Sequence, residues 1–316
     1  MLDEASRKKI LTEFGAKNED MVQLLEYNRN VFKKVRESEK STIELYKDEA
    51  FAEVWQGYLN ESKEVGVFEV LKKYFPQLNF PIEAPMQLKL YLHSSLSGRI
   101  PILYTSCRPD FETLSRVLSM KNEPLEIPDS TGAFFIKGYN NWNRIKAQGI
   151  IPQKHLYQDK LIILSGGFYS NISSEVMGLS DEEWEKLSFI IRREHECTHY
   201  FTQRIYGFAR NNLLDELIAD FMGIVEAKGE FCAAWLLKFM GLEGYPKYRK
   251  GGRLENYISK SFNSEEASVV MQRLVWQAAH NLEKLNISLS INNSRAAKLD
   301  VLSRLCNMTL EEIAVF

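Results

Sequence analysis

The feature that most restricts this chain is His195-Glu196-Cys197-Thr198-His199, set inside a stretch that reads as one long helix. Ser180 and Glu183 make the S-x-x-E pattern of a capping box, and Gly207 supplies the stop at the other end, about Tyr206. Residues four apart in a helix stack on one face, so His195 and His199 point the same way, about one turn apart. Apolar residues on more than one side (Trp184, Leu187, Ile190, Ile191, Phe201, Ile205) mark the helix as central and buried. Two imidazoles and a glutamate inside such a helix need a reason to be there, since buried polar groups are costly without partners. One metal ion meets that need. Zinc suits it, because it accepts neutral nitrogen ligands at about 2.0–2.1 Å and imposes no strong geometry of its own. Glu196 projects beside such an ion and not onto it, where a base for an attacking water belongs. Cys197, turned by about 100° or more from both histidines, reads as a core thiol.

A catalytic zinc needs a third protein ligand. Glu216 and Asp220 lie four apart on the next apolar stretch, expected to be helical from Leu213 to Lys228 with Gly229 as its stop. The first helix climbs about 10 Å from His199 to Tyr206, and the second returns about 5 Å from Leu213 to Glu216, at about 1.5 Å per residue. A turn over 207–212 spans the remaining gap. Glu216 is favoured over its neighbours. Asp215 is rotated by about 100°, Asp220 is a methylene shorter, and Glu226 is nearly three turns further on. Glu194 reads as a surface or supporting acid.

HECTH followed by ELIADFMG resembles the HExxH and ExxAD elements of gluzincin zinc metallopeptidases, the clan of thermolysin-like enzymes. The resemblance covers residues 195 to 220. It implies that His195, His199 and Glu216 bind Zn2+, that Glu196 is the general base, and that Asp220 orients the His195 ring. The spacing between His199 and Glu216 is shorter than is usual in these enzymes, which implies a tighter turn.

Around this centre the chain divides by pattern: an N-terminal helical region over 1–78, a β-containing upper lobe over 79–180 and a helical lobe carrying the zinc site over 181–316. Strands are expected over 87–92, 100–105, 133–138 and 161–165. Shorter helices are expected through Trp235 to Met240, from an Asn263-x-x-Glu266 cap to about Leu285, and from a Thr309-x-x-Glu312 cap. The fold expected is therefore α+β and helix-rich, a zincin-like two-lobed unit. By analogy with zincins, Leu161–Ser165 is the candidate edge strand for an extended substrate, with Gly166-Gly167 either admitting its backbone or forming a plain turn. His280, Tyr257 and Tyr245 are candidate oxyanion donors, each with a packing role as the alternative. The basic segment over 244–253 reads as a solvated turn, with a carboxylate-binding lip as the alternative.

Forty basic against forty-two acidic residues give a formal charge of −2, so no global field favours nucleic acid or a membrane surface. The four cysteines are too scattered for a disulfide framework, and neither a signal peptide nor a membrane-spanning run is evident. The expectation is a cytoplasmic zinc metallopeptidase acting on a peptide or protein. Two alternatives stand beside it: a non-catalytic regulatory protein that keeps zinc and the gluzincin fold, and a helical scaffold with a fortuitous motif.

Overall fold

The computed structural model describes residues 2–32, 46–76, 81–120, 122–149, 153–207, 212–258, 261–262, 264–290 and 294–316. Its elements in chain order are α1 (Glu4–Glu13), α2 (Asn18–Tyr27), α3 (Ala50–Val65), α4 (Val67–Tyr74), β1 (Lys89–Ser95), β2 (Gly98–Thr105), α5 (Arg108–Ser119), β3 (Ala133–Asn140), α6 (Trp142–Gln148), α7 (Lys154–Tyr157), β4 (Gln158–Ser165) and α8 (Ser174–Met177). Then come α9 (Asp181–Tyr206), α10 (Leu213–Lys228), α11 (Ala233–Met240), α12 (Glu255–Ile258), α13 (Glu265–Ser290), α14 (Arg295–Cys306) and α15 (Leu310–Ala314). The fold is α+β and helix-rich, as expected. Among the described residues no helix is long and apolar enough to cross a membrane.

The chain forms two compact units, one of residues 37–204 and one of 1–36 with 205–316. These limits differ from divisions at 78/79 and 180/181. The N-terminal helices are shared out: α1 and α2 belong with the C-terminal helices, and α3 and α4 with the sheet. Long-range bonds tie the first pair down, Arg7 to Glu311 at 2.7 Å and Asn30 Nδ2 to the carbonyls of Cys306 and Met308 at 3.0 and 2.7 Å. Periodicity tells which face of a helix is buried. It does not tell against what.

In the sheet-containing unit four strands lie in the order β1-β2-β4-β3, with β2 and β4 parallel and the outer pairings antiparallel. This corrects the edge-strand assignment. Leu161–Ser165 lies in β4, an interior strand, and the sheet edges are β1 and β3. The physical reason is legible in hindsight: Leu161 to Leu164 is a continuous apolar run with at most 1% exposure, and a strand buried on both faces does not alternate. Phe51, Trp55, Phe75, Phe111 and the inner residues of β2 and β4 form the core, which α9 joins through Cys197 and Tyr200.

Helix α9 begins with the expected capping box: the Glu183 amide donates to Ser180 Oγ at 3.3 Å, and the Ser180 amide to Glu183 Oε2 at 3.2 Å. In the helical unit, α10 runs over the expected residues from an Asn212 cap to a left-handed Gly229. Thr309 and Glu312 close a reciprocal capping box on α15. Asn263 and residues 208–211 of the expected turn lie outside the described residues.

Candidate metal centre

On α9 the two histidines of the motif meet. His195 and His199, 6% and 8% exposed, bring their Nε2 atoms to 3.1 Å with the rings at 82° to each other. Two like nitrogens at that distance either share one proton or face one ion. Ligand atoms of a tetrahedral ion with bonds of about 2.0–2.1 Å lie roughly 3.3–3.4 Å apart, so the pair fits two sites of one zinc with a small adjustment. Glu196 is buried one residue along, turned roughly 60–100° around the helix from the two histidines.

The other nitrogen of the first ring is also placed. Tyr169 Oη lies 3.0 Å from His195 Nδ1. For Nε2 of a neutral imidazole to offer its lone pair, Nδ1 must carry the proton and donate it, and a hydroxyl can accept it. Tyr169 is thus a neutral partner compatible with the tautomer that leaves the Nε2 lone pair open. It is held by the segment after β4. Arg192 on α9 donates to the carbonyls of Gly167 and Phe168, both at 2.6 Å, and the Tyr169 amide donates to buried Ser188 Oγ at 2.9 Å. The Arg192 guanidinium lies 5.9 Å from the Tyr169 ring centre, and burial pulls its pKa down to about 10. Gly167 has φ +88°, so the Gly166-Gly167 pair serves a turn that carries the tyrosine. Ser170 and Asn171, at φ +54° and +55°, continue the left-handed path. Such backbone costs about 1–3 kcal/mol per residue and persists only where its surroundings fix it.

In the helical unit, α10 carries the two acids of the second motif element. Glu216 Oε2 accepts from Arg253 Nη2 at 3.2 Å and from Tyr257 Oη at 3.0 Å. Arg253 Nη1 reaches Asp220 Oδ1 at 3.1 Å, and its Nη2 also meets Tyr257 Oη at 3.1 Å. One guanidinium therefore bridges both carboxylates, with Asp220 fully buried and Arg253 itself 12% exposed. Burial, with Glu216 and Asp220 nearby, drives the Tyr257 hydroxyl far above the ordinary phenol range, although Arg253 opposes the shift. It stays a neutral donor to Glu216.

A family model described as a family of unknown function, DUF7005, matches residues 9–87, 82–148 and 146–316. The chain belongs to the DUF7005 family. No curated protein and no solved structure matches it.

The remaining sequence candidates have other settings. His280 Nδ1 lies 2.8 Å from the Trp276 carbonyl, and Tyr245 stacks on Trp276 at 5.2 Å. Glu226 pairs with Lys298, and buried Asp215 helps burial to push the Cys306 thiol up. Glu194 bonds His93 and Arg193, at 3.0 and 2.6 Å. Two residues escaped the sequence reading. Tyr169 stands 26 positions before its histidine, and Arg253 stands 33 and 37 positions after its two acids. Arg253 closes the 244–253 segment that reads as a solvated turn. The one available signal was the demand itself: two acids on an apolar helix require a cation.

Proposed function

We propose that this chain is a zinc-dependent hydrolase, a metallopeptidase of the gluzincin type with a zincin-like two-lobed catalytic unit. His195, His199 and Glu216 would hold the ion, with Glu196 as general base. The observation that carries the reading is the 3.1 Å approach of the two Nε2 atoms with Tyr169 behind His195 Nδ1.

Zinc in a set of two imidazoles and a carboxylate supplies Lewis acidity, lowering the pKa of water toward neutrality and polarising a carbonyl. The rest falls to the protein. Glu196 takes one proton from the attacking water as its oxygen adds to the peptide carbon, then returns that proton to the nitrogen as the C–N bond breaks. Tyr169 keeps the proton of His195 on Nδ1. Arg253 and Tyr257 hold Glu216 by Oε2 and would position its carboxylate. The motif gives Asp220 to the His195 ring; its bond to Arg253 gives it a second way to act, by fixing the group that fixes Glu216.

The test combines metal content with cleavage of a peptide library, with and without a chelator. About one zinc per chain lost in His195→Ala or His199→Ala, and cleavage abolished by the chelator, is the expected result. Glu216→Gln should lose zinc and activity together, with activity partly restored by excess zinc. Full zinc in the double histidine variant would end the assignment. Zinc without any cleavage would favour the regulatory reading.

A further inference from the structure

Helix α9 has a second set of metal-ligating side chains on its other side. Glu194 and Cys197 lie one turn apart and roughly 150° around the helix from the bisector of His195 and His199, at about 100° per residue. Across from them His93 projects from the edge strand β1, and one ligand atom from each of the three falls within 4.8 Å of the other two. We propose that His93, Glu194 and Cys197 form a second metal site, for a thiophilic divalent ion of the zinc class, independent of the site at His195 and His199.

The donor set argues for this class of ion. Imidazole nitrogen, carboxylate oxygen and thiolate sulfur together suit zinc and its neighbours, whereas calcium and magnesium take oxygen ligands. His93 Nε2 and Glu194 Oε1 are already 3.0 Å apart, close to the spacing of two ligands on one tetrahedral ion. A neutral imidazole, a carboxylate and a thiolate sum to two negative charges, which a divalent ion cancels. Without an ion, the same carboxylate leans on Arg193, 2.6 Å from Oε1. Arg193 is the competitor. Its side chain is 26% exposed and rests on the Phe189 ring at 5.8 Å, so it can shift toward solvent when an ion arrives. His93, at 21%, gives the ion a way in beside β1, while Cys197 is buried, out of reach of bulk oxidants. The alternative is a half-buried His–Glu hydrogen bond that happens to lie beside a core thiol.

Cobalt(II) separates the two. Metal-free protein titrated with Co2+ in the absence of oxygen should develop a near-ultraviolet thiolate-to-cobalt charge-transfer band, which a site of nitrogen and oxygen ligands alone does not give. The band should vanish in Cys197→Ser and persist in the His195→Ala/His199→Ala double variant, so the two metal sites can fail separately. His93→Gln should weaken the Co2+ affinity read from the band more than tenfold, since losing even a partner behind a ligand costs roughly 10- to 100-fold. Arg193→Gln should tighten it. No near-ultraviolet band in the wild type overturns the proposal. So does a band that survives Cys197→Ser, which would assign it to Cys107, Cys232 or Cys306, and so does a band lost in the double histidine variant. Should Cys197→Ser not fold, His93→Gln decides alone, and an unchanged affinity there is equally fatal.

Discussion

The imidazole pair of α9 and the carboxylate pair of α10 are built by the same device, two polar residues four positions apart on one helical face, yet they are supported in opposite ways. His195 Nδ1 meets an uncharged group, a phenol hydroxyl at 3.0 Å. Glu216 and Asp220 carry carboxyl groups, and their unit brings in a guanidinium that touches both. The difference follows from desolvation. A buried neutral ring needs only hydrogen-bond partners for its two nitrogens, whereas a buried carboxylate also needs countercharge, or it is driven to take up a proton. Tyr169 therefore offers a hydrogen bond, and Arg253 a countercharge.

The largest effect should come from removing that charge. Arg253→Met keeps most of the side-chain volume but leaves two carboxylates without their cation, which should cost about 3–5 kcal/mol, the range for breaking a buried pair. Urea unfolding measures it, and added zinc should recover part of the loss if the ion binds Glu216. Equal stability with and without zinc would break the link between Glu216 and the metal.

Glu196→Gln comes next. Turnover should fall on the order of 10²-fold or more while zinc content and unfolding stay at wild-type values, because the amide accepts no proton from water. A variant that cleaves peptides normally would rule out the hydrolytic mechanism even with zinc in place. Tyr169→Phe should weaken zinc binding by roughly 10- to 100-fold with little change in metal-free stability, the usual cost of losing a partner behind a ligating ring. Competition with a chromophoric chelator gives the affinity. If Asp220→Asn has that effect and Tyr169→Phe does not, the tautomer of His195 is set by the aspartate.

A smaller, pH-dependent effect sharpens the contrast from a third buried acid. Asp159 meets Arg144 at 2.6 Å in the sheet-containing unit, but burial outweighs the guanidinium and pushes its carboxyl up to about 6 from 3.8. The folded state then holds this proton where the unfolded chain has lost it. The contribution of Asp159 to stability is full below pH 3.8, declines as the pH rises toward about 6, and is flat above that. Asp159→Asn should remove this decline, seen as the difference between wild-type and variant unfolding midpoints across that window. A constant difference would mean that Asp159 is ionised throughout.

Much of this molecule was written locally. The limits of α10, the capping boxes of α9 and α15 and the four strands follow from cap residues, glycine stops and apolar periodicity, all of which act within a few residues. The pairing of His195 with His199 is equally local, because helix geometry alone brings positions four apart together. Tertiary structure decided the rest. Strand order placed β4 inside the sheet, and long-range packing shared the N-terminal helices between two units. Tyr169, Arg253 and His93 came to their partners from distant segments. Each of these depends on which buried face meets which, and many pairings satisfy the same periodicity. The sequence by itself determined which side chains need a partner; only the folded chain, by minimising the cost of burying them together, determined which partner each one found.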